Sequence, residues 1–114
     1  MSYSAPVRDI EFMLNKVVGL DEVAALPGFE EATPDLVGAI LEESAKFTSE
    51  VLAPLNRVGD EQGSKWSDEG VTTPDGWKDA YKQFCENGWG ALSFEPEYGG
   101  QGMPMCISAA VQEM

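Results

Sequence analysis

One stretch of this sequence, residues 89–102, constrains the fold most because it joins two helical patterns and is itself unsuited to a helix. It reads Trp-Gly-Ala-Leu-Ser-Phe-Glu-Pro-Glu-Tyr-Gly-Gly-Gln-Gly. Its glycines relax the backbone, while Pro96 lacks a backbone N–H and biases the residue before it away from the α region. A flexible linker would be poor in aromatic residues, whereas this segment carries Trp89, Leu92 and Phe94. The sequence therefore predicts an ordered loop pinned by these three apolar side chains.

Apolar residues recur at three-four spacing on both sides of the loop, and no run of sustained period-2 alternation is present. This spacing predicts four helices, near residues 8–18, 34–58 and 74–87 and from residue 104 onward. A chain of 114 residues is long enough for one ordinary domain with a single core. The predicted fold class is all-α, in the form of a helical bundle.

The second of these helices carries the clearest start signal, with Thr33 at the N-cap followed by a proline and an aspartate. The same three residue types begin at Thr73, where they predict the start of the third helix. Pro54 interrupts the second helix, but Leu55 and Val58 continue its apolar stripe. We therefore expect this helix to continue past the proline with a kink.

Residues 59–73 lose the periodicity and are rich in Gly, Asp, Glu and Ser. They predict a surface connection with one buried candidate, Trp66. The third helix carries an apolar face that we expect to pack into the core. Its members are Trp77, Ala80, Tyr81, Phe84 and Cys85. Cys85 and Cys106 lie in apolar patterns without a Cys-x-x-Cys spacing, so both are expected to be buried, reduced thiols.

The composition excludes several function classes. The chain has 20 acidic and 7 basic residues, a formal charge of -13, and no histidine. This charge repels nucleic-acid phosphates and anionic lipid surfaces, so we expect neither as a partner. A Ser/His/Asp triad needs histidine, and the two cysteines lack zinc-site spacing, so no catalytic residue and no metal site is assigned. No stretch has the length of a membrane span and no secretory signal begins the chain, so a cytoplasmic location is expected.

The last helical pattern stops at Met114 without a glycine, an asparagine or a basic last turn, which predicts a domain fragment. A helix cut at this point would leave Ile107, Val111 and Met114 without neighbours. We therefore expect an exposed apolar surface at these residues that favours self-association.

Several motifs occur in the same order as in a known family. They are Leu52-Ala53-Pro54-Leu55, then Gly88-Trp89, then Pro96-Glu97-Tyr98-Gly99-Gly100-Gln101-Gly102, then a helix with Glu113-Met114. This order resembles the N-terminal helical domain of the acyl-CoA dehydrogenases, although here no extra residue separates Glu97 from Tyr98. The front segment, with Tyr3, Ala5-Pro6 and Arg8-Asp9, resembles an extension found in the branch that includes the 3-methylmercaptopropionyl-CoA dehydrogenases.

The resemblance implies the N-terminal α domain of the acyl-CoA dehydrogenase fold, with residues 1–32 as a helical extension and residues 33–114 as the domain, truncated at its C-terminal end. In that family the flavin site and the catalytic glutamate lie in later domains. The resemblance therefore implies a FAD-dependent enzyme that oxidises an acyl-CoA to the 2-enoyl-CoA, with this domain helping to wall the acyl pocket, inactive alone and without FAD of its own. It also implies an electron-transfer acceptor and a homo-oligomer. The residues implied near the substrate are Tyr98, Gly99, Gly100 and Gln101.

A second hypothesis requires no further domains. An acidic helical adaptor that binds a protein partner through an apolar face would also lack an internal catalytic set. The sequence leaves both hypotheses open.

Overall fold

The fold is built on one long helical segment of the computed structural model, which describes residues 2–114. This segment consists of α3 (Pro34–Phe47), a π-helical turn (Thr48–Leu52) and α4 (Ala53–Gln62), which follow one another without a break. We call these three pieces together the long helix. Its first turn is capped as predicted, because the backbone N–H of Leu36 donates to Thr33 Oγ1 at 3.3 Å.

The kink expected at Pro54 is a π-helical turn placed just before it. Proline lacks the N–H that would bond four residues back, and its ring would clash with that carbonyl. A π turn, with its wider spacing, relieves the clash without ending the helix. The helix therefore continues to Gln62, past the predicted end near Val58.

Two short helices precede the long helix. The first is α1 (Val7–Phe12), which continues as a π-helical turn (Met13–Val18) and ends at Gly19 with φ of 78°. The second is α2 (Leu20–Ala24). Their buried side chains, Ile10, Leu14 and Leu20, join the same core as the rest of the chain.

The connection after the long helix contains a small antiparallel hairpin, which was not predicted from the sequence. Its strands are β1 (Lys65–Ser67) and β2 (Gly70–Thr72), with Trp66 opposite Val71. The prediction that Trp66 is buried is wrong, because its side chain is 77% exposed. A two-stranded ribbon has no second layer to cover its faces, and three-residue strands are too short to show a period-2 pattern.

The next helix, α5, spans Trp77–Glu86 and starts later than predicted. Asp75 is held by Gln62 at the end of the long helix: the Asp75 N–H donates to Gln62 Oε1 at 2.8 Å, and Gln62 Nε2 donates to Asp75 Oδ2 at 3.0 Å. Gly76 then adopts a left-handed φ of 81°, which a right-handed helix cannot include. The threonine and proline before Asp75 therefore do not begin the helix.

The prediction that the apolar face of α5 is core is also wrong for most of its members. Ala80 is buried and Phe84 is partly buried, whereas Trp77, Tyr81 and Cys85 are exposed. Periodicity identified the face correctly, but the long helix covers only part of it, so Trp77 and Tyr81 remain 41% and 70% exposed. The prediction that both cysteine thiols are buried is therefore wrong for Cys85, while Cys106 is half-buried.

The last helix, α6 (Met105–Glu113), packs against α3. Ile107 is fully buried and Val111 is 8% exposed, while Met114 is partly buried. The expected apolar surface at these three residues is therefore absent, because α3 and the preceding loop already cover them. The all-α prediction is confirmed apart from the hairpin.

The molecule is a slab of 52 × 37 × 17 Å. A thickness of 17 Å corresponds to about two layers of helices, so many apolar side chains remain near a surface. Over the described range, no helix is both long enough and apolar enough to cross a bilayer.

Candidate functional site

The candidate site is the loop between α5 and α6, residues 89–104. It contains two short 3-10 turns, Trp89–Ala91 and Pro96–Tyr98. Two of the three predicted anchors are buried, with Trp89 9% and Leu92 1% exposed. The third, Phe94, is 58% exposed, so its prediction as an anchor is wrong.

Backbone hydrogen bonds close this loop on itself. Three N–H groups in its second half donate to carbonyls in its first half: Gln101 to Ala91 at 3.1 Å, Gly102 to Phe94 at 2.9 Å and Met103 to Leu92 at 2.8 Å. Met103 is itself buried and extends the anchoring that Leu92 begins. The loop is thus ordered by its own backbone as well as by apolar burial.

The two central glycines are required for different reasons. Gly99 adopts φ of 85°, which a side chain would strain. At Gly100 a Cβ would lie 2.0 Å from the carbonyl oxygen of Phe94, so the backbone passes too close for any other residue. The Gly100 N–H also donates to the Glu95 carbonyl at 3.1 Å.

Gln101 connects this loop to the end of α5. Its Nε2 donates to the Gly88 carbonyl at 3.4 Å, and a Cβ at Gly88 would lie 2.7 Å from that same nitrogen. Gly88 therefore combines a left-handed φ of 75° with a close contact to the loop. Tyr98 behaves differently, because its ring is 77% exposed and free to contact another molecule.

A cavity of about 310 Å³ lies between the loop and the turn before α3. One side is formed by residues 28–32 and the other by Pro96 and residues 101–104. Glu30 in this wall accepts a hydrogen bond from the Gly28 N–H at 3.0 Å. The backbone N–H groups of Glu30 and Gly28 lower the pKa of the Glu30 carboxyl. No local sequence pattern predicted this cavity, because its two walls are distant in sequence.

Within residues 2–114 no three His, Cys, Asp or Glu side chains come together as a possible metal site. What the structure brings together is a rigid backbone at Gly99, Gly100 and Gln101, with the Tyr98 ring beside it. Such an arrangement can shape a surface.

Comparison with known proteins identifies homologues of the chain. No protein-family model matches the chain. The chain is 40% identical over 114 residues to the 3-methylmercaptopropionyl-CoA dehydrogenase of Ruegeria pomeroyi, and the match covers 100% of the chain. The chain is a homologue of the acyl-CoA dehydrogenases. The resemblance seen in its loop motifs is therefore confirmed.

This acyl-CoA dehydrogenase homologue matches a second named relative at lower identity. It is 27% identical over 117 aligned positions to a butyryl-CoA dehydrogenase of Syntrophomonas wolfei, and 99% of the chain is covered. In both comparisons the chain spans 19% of the relative's length, at its N-terminal end. The helical fold described above agrees with the N-terminal domain of this family.

Proposed function

We propose that this chain is the N-terminal α domain of a FAD-dependent acyl-CoA dehydrogenase, which oxidises an acyl-CoA thioester to the 2-enoyl-CoA in the cytoplasm. Residues 1–32 form a helical extension and residues 33–114 the domain, which helps to wall the acyl pocket and is inactive alone. The observation that carries the proposal is the 40% identity to a named acyl-CoA dehydrogenase over every residue of the chain.

Flavin binding is assigned to polypeptide outside these residues. A FAD diphosphate needs clustered backbone N–H donors or basic side chains. The two strands described here form an exposed hairpin that is not followed by a glycine-rich turn into a helix, and the chain carries a charge of -13. These residues therefore do not fit the flavin. The full-length enzyme passes its electrons to an electron-transfer acceptor and is a homo-oligomer.

Within the domain, the loop residues Tyr98, Gly99, Gly100 and Gln101 lie on the substrate side. Support comes from the closed backbone that fixes Gly100 and Gln101, and from the Tyr98 ring, which has no role in holding the fold and is 77% exposed. A rigid loop that presents one exposed aromatic ring can contact a ligand without rearranging.

The test is an assay of the full-length product of the gene with acyl-CoA substrates and an artificial electron acceptor. We expect a bound flavin and a product that is lighter than the substrate by two hydrogens. A full-length product without flavin or activity that binds a protein partner would instead favour the acidic helical adaptor.

The loop assignment has its own test in the full-length enzyme. Tyr98→Ala is expected to raise KM for the acyl-CoA several-fold while changing stability by less than about 0.5 kcal/mol, since the ring is exposed. Trp66→Ala on the hairpin removes an equally exposed ring and is the matched control. Identical KM values for the two variants would contradict the placement of Tyr98 on the substrate side.

A further inference from the structure

The first helical segment, α1 with the π-helical turn that continues it (residues 7–18), is apolar on two opposite faces. We call this segment the front helix. Ile10 and Leu14 form its inner face and are buried in the core. Its outer face carries three exposed apolar side chains, Phe12 (60%), Met13 (50%) and Val17 (63%). A surface helix usually keeps its apolar residues on the single face that meets the core, so the outer face is available to a partner.

Two charged side chains of opposite sign flank these apolar residues. Asp9 lies three residues before Phe12, and Lys16 lies three residues after Met13. Residues three or four positions apart share a helix face, so all of them follow one line along the helix. We call this line, Asp9, Phe12, Met13, Lys16 and Val17, the outer stripe. Both charged side chains are exposed, and the ion pairs found across residues 2–114 involve neither of them.

The front helix is electrically neutral in a chain whose charge is -13. It holds one arginine, one lysine, one aspartate and one glutamate, so its own formal charge is zero. Arg8 and Glu11 line a groove against α3, which leaves Asp9 and Lys16 as the charges of the outer stripe. Repulsion between two copies of the chain is therefore reduced where their front helices approach each other.

The order of charges along the outer stripe is complementary to itself. Two front helices can be placed antiparallel about a two-fold axis that passes between residues 12 and 13. Asp9 of each copy then lies level with Lys16 of the other copy, while Phe12 and Met13 meet the same two residues at the centre. A parallel pair would instead bring like charges together. A contact of this kind closes on itself, because both copies use the same patch.

We propose that the outer stripe is a contact between two copies of this chain, paired antiparallel about a two-fold axis. The contact does not depend on the dehydrogenase assignment, because all of its residues lie within the chain. An anionic lipid surface is a poorer fit, since helices that lie on such surfaces are rich in Lys and Arg, whereas this helix is neutral.

The contact is small. An aromatic side chain carries about 150–250 Å² of surface, so the exposed part of Phe12 contributes on the order of 100 Å² and the whole stripe a few hundred Å². A standard interface buries about 800 Å² on each partner, so this contact by itself is weak and reversible. Within an oligomer held by other contacts, an effective concentration in the mM range allows it to form fully.

Disulfide formation between copies tests the arrangement, because a residue beside a two-fold axis faces its own counterpart. Helix axes about 8–10 Å apart bring facing Cα atoms within the range that a disulfide spans. In a Cys85→Ser background, which removes the exposed thiol, Met13→Cys should give a dimer linked through position 13 under copper-phenanthroline oxidation. We expect this in the 114-residue chain and in the full-length gene product. Trp66→Cys on the exposed hairpin is the matched control and should give at least about tenfold less dimer.

Charge reversal tests the register of the pair. In the 114-residue chain, Asp9→Lys and Lys16→Asp should each lower the association constant at least about fivefold, because each replaces two attractive pairs by two repulsive ones. The double variant restores opposite charges across the contact and keeps the net charge at -13, so its association should return to that of the parent chain. Sedimentation equilibrium measures all four proteins, and circular dichroism checks that their helix content is equal.

A 114-residue chain that stays monomeric at about 1 mM in about 0.15 M NaCl would overturn the proposal. So would a double variant that associates no better than either single variant. Cross-linking at position 13 in the 114-residue chain but not in the full-length product would also overturn it, because the rest of the polypeptide would then cover the stripe. None of these readouts depends on catalysis, so their failure leaves the proposed function unaffected.

Discussion

At the scale of single residues, Gly100 shows how closely the loop backbone is packed. Its φ lies outside the left-handed range, so conformational freedom does not explain the glycine. The reason is steric, since a Cβ would lie 2.0 Å from the Phe94 carbonyl oxygen and 2.3 Å from the carbonyl carbon. Relief would require the loop backbone to move and would strain the hydrogen bonds that close it.

We expect Gly100→Ala to lower the free energy of unfolding by about 2–4 kcal/mol, because backbone atoms cannot move aside as a side chain can. Urea unfolding followed by circular dichroism measures it. Gly38→Ala in α3 is the control: its Cβ would lie 3.2 Å from the flexible Glu11 carboxylate, and alanine is favoured over glycine in a helix by about 1 kcal/mol. Equal stability of the two variants would contradict the steric argument.

At the scale of elements, the two threonine-proline-aspartate sequences differ, because only the first of them caps a helix. Thr33 Oγ1 accepts the Leu36 N–H, whereas α5 begins beyond Thr73, after Gly76. We expect Thr33→Ala to cost about 1 kcal/mol of unfolding free energy, the usual value for a lost N-cap, and Thr73→Ala to cost less than about 0.5 kcal/mol. Parallel urea titrations compare them, and a larger loss at Thr73 would mean that it caps α5 after all.

This contrast also shows what could be predicted from sequence. Helix existence, the Thr33 cap and the ordered loop follow from local patterns of glycine, proline and apolar residues, so they were predicted correctly. The start of α5 depends on Gln62, which is distant in sequence from Asp75, and the exposure of Tyr81 depends on whether another element covers its face. Neither is a local property. For the candidate site, glycine and proline spacing predicted an ordered backbone, but the cavity beside Glu30 arises only when two distant segments meet.

At the scale of the whole molecule, the charge of -13 is spread over a thin slab. The ion pairs found across residues 2–114 are Arg57 with Glu61 and Lys82 with Glu86, both exposed and separated by four residues. Pairs of this kind contribute roughly 0.3–0.5 kcal/mol each, which is too little to offset the repulsion among the remaining carboxylates.

We therefore expect added salt to stabilise the fold at neutral pH. Raising NaCl from about 0.01 M to about 0.15 M shortens the Debye length from about 30 Å to about 8 Å, which screens repulsion across the slab. The melting temperature should rise by a few degrees, as measured by calorimetry. The control is the same titration near pH 4.1, the isoelectric point, where the net charge vanishes and the rise should be much smaller.

The three tryptophans occupy environments that differ in a graded way, with Trp89 9%, Trp77 41% and Trp66 77% exposed. They lie in different parts of the molecule: Trp89 in the core under the loop, Trp77 between the long helix and α5, and Trp66 in strand β1 of the hairpin. Indole emission shifts to longer wavelength and quenches more readily as the ring meets water. In single-tryptophan variants, the emission of Trp77 would therefore move to shorter wavelength if another molecule covered its ring. The emission of Trp66 and of Trp89 would give the exposed and the buried limits for comparison.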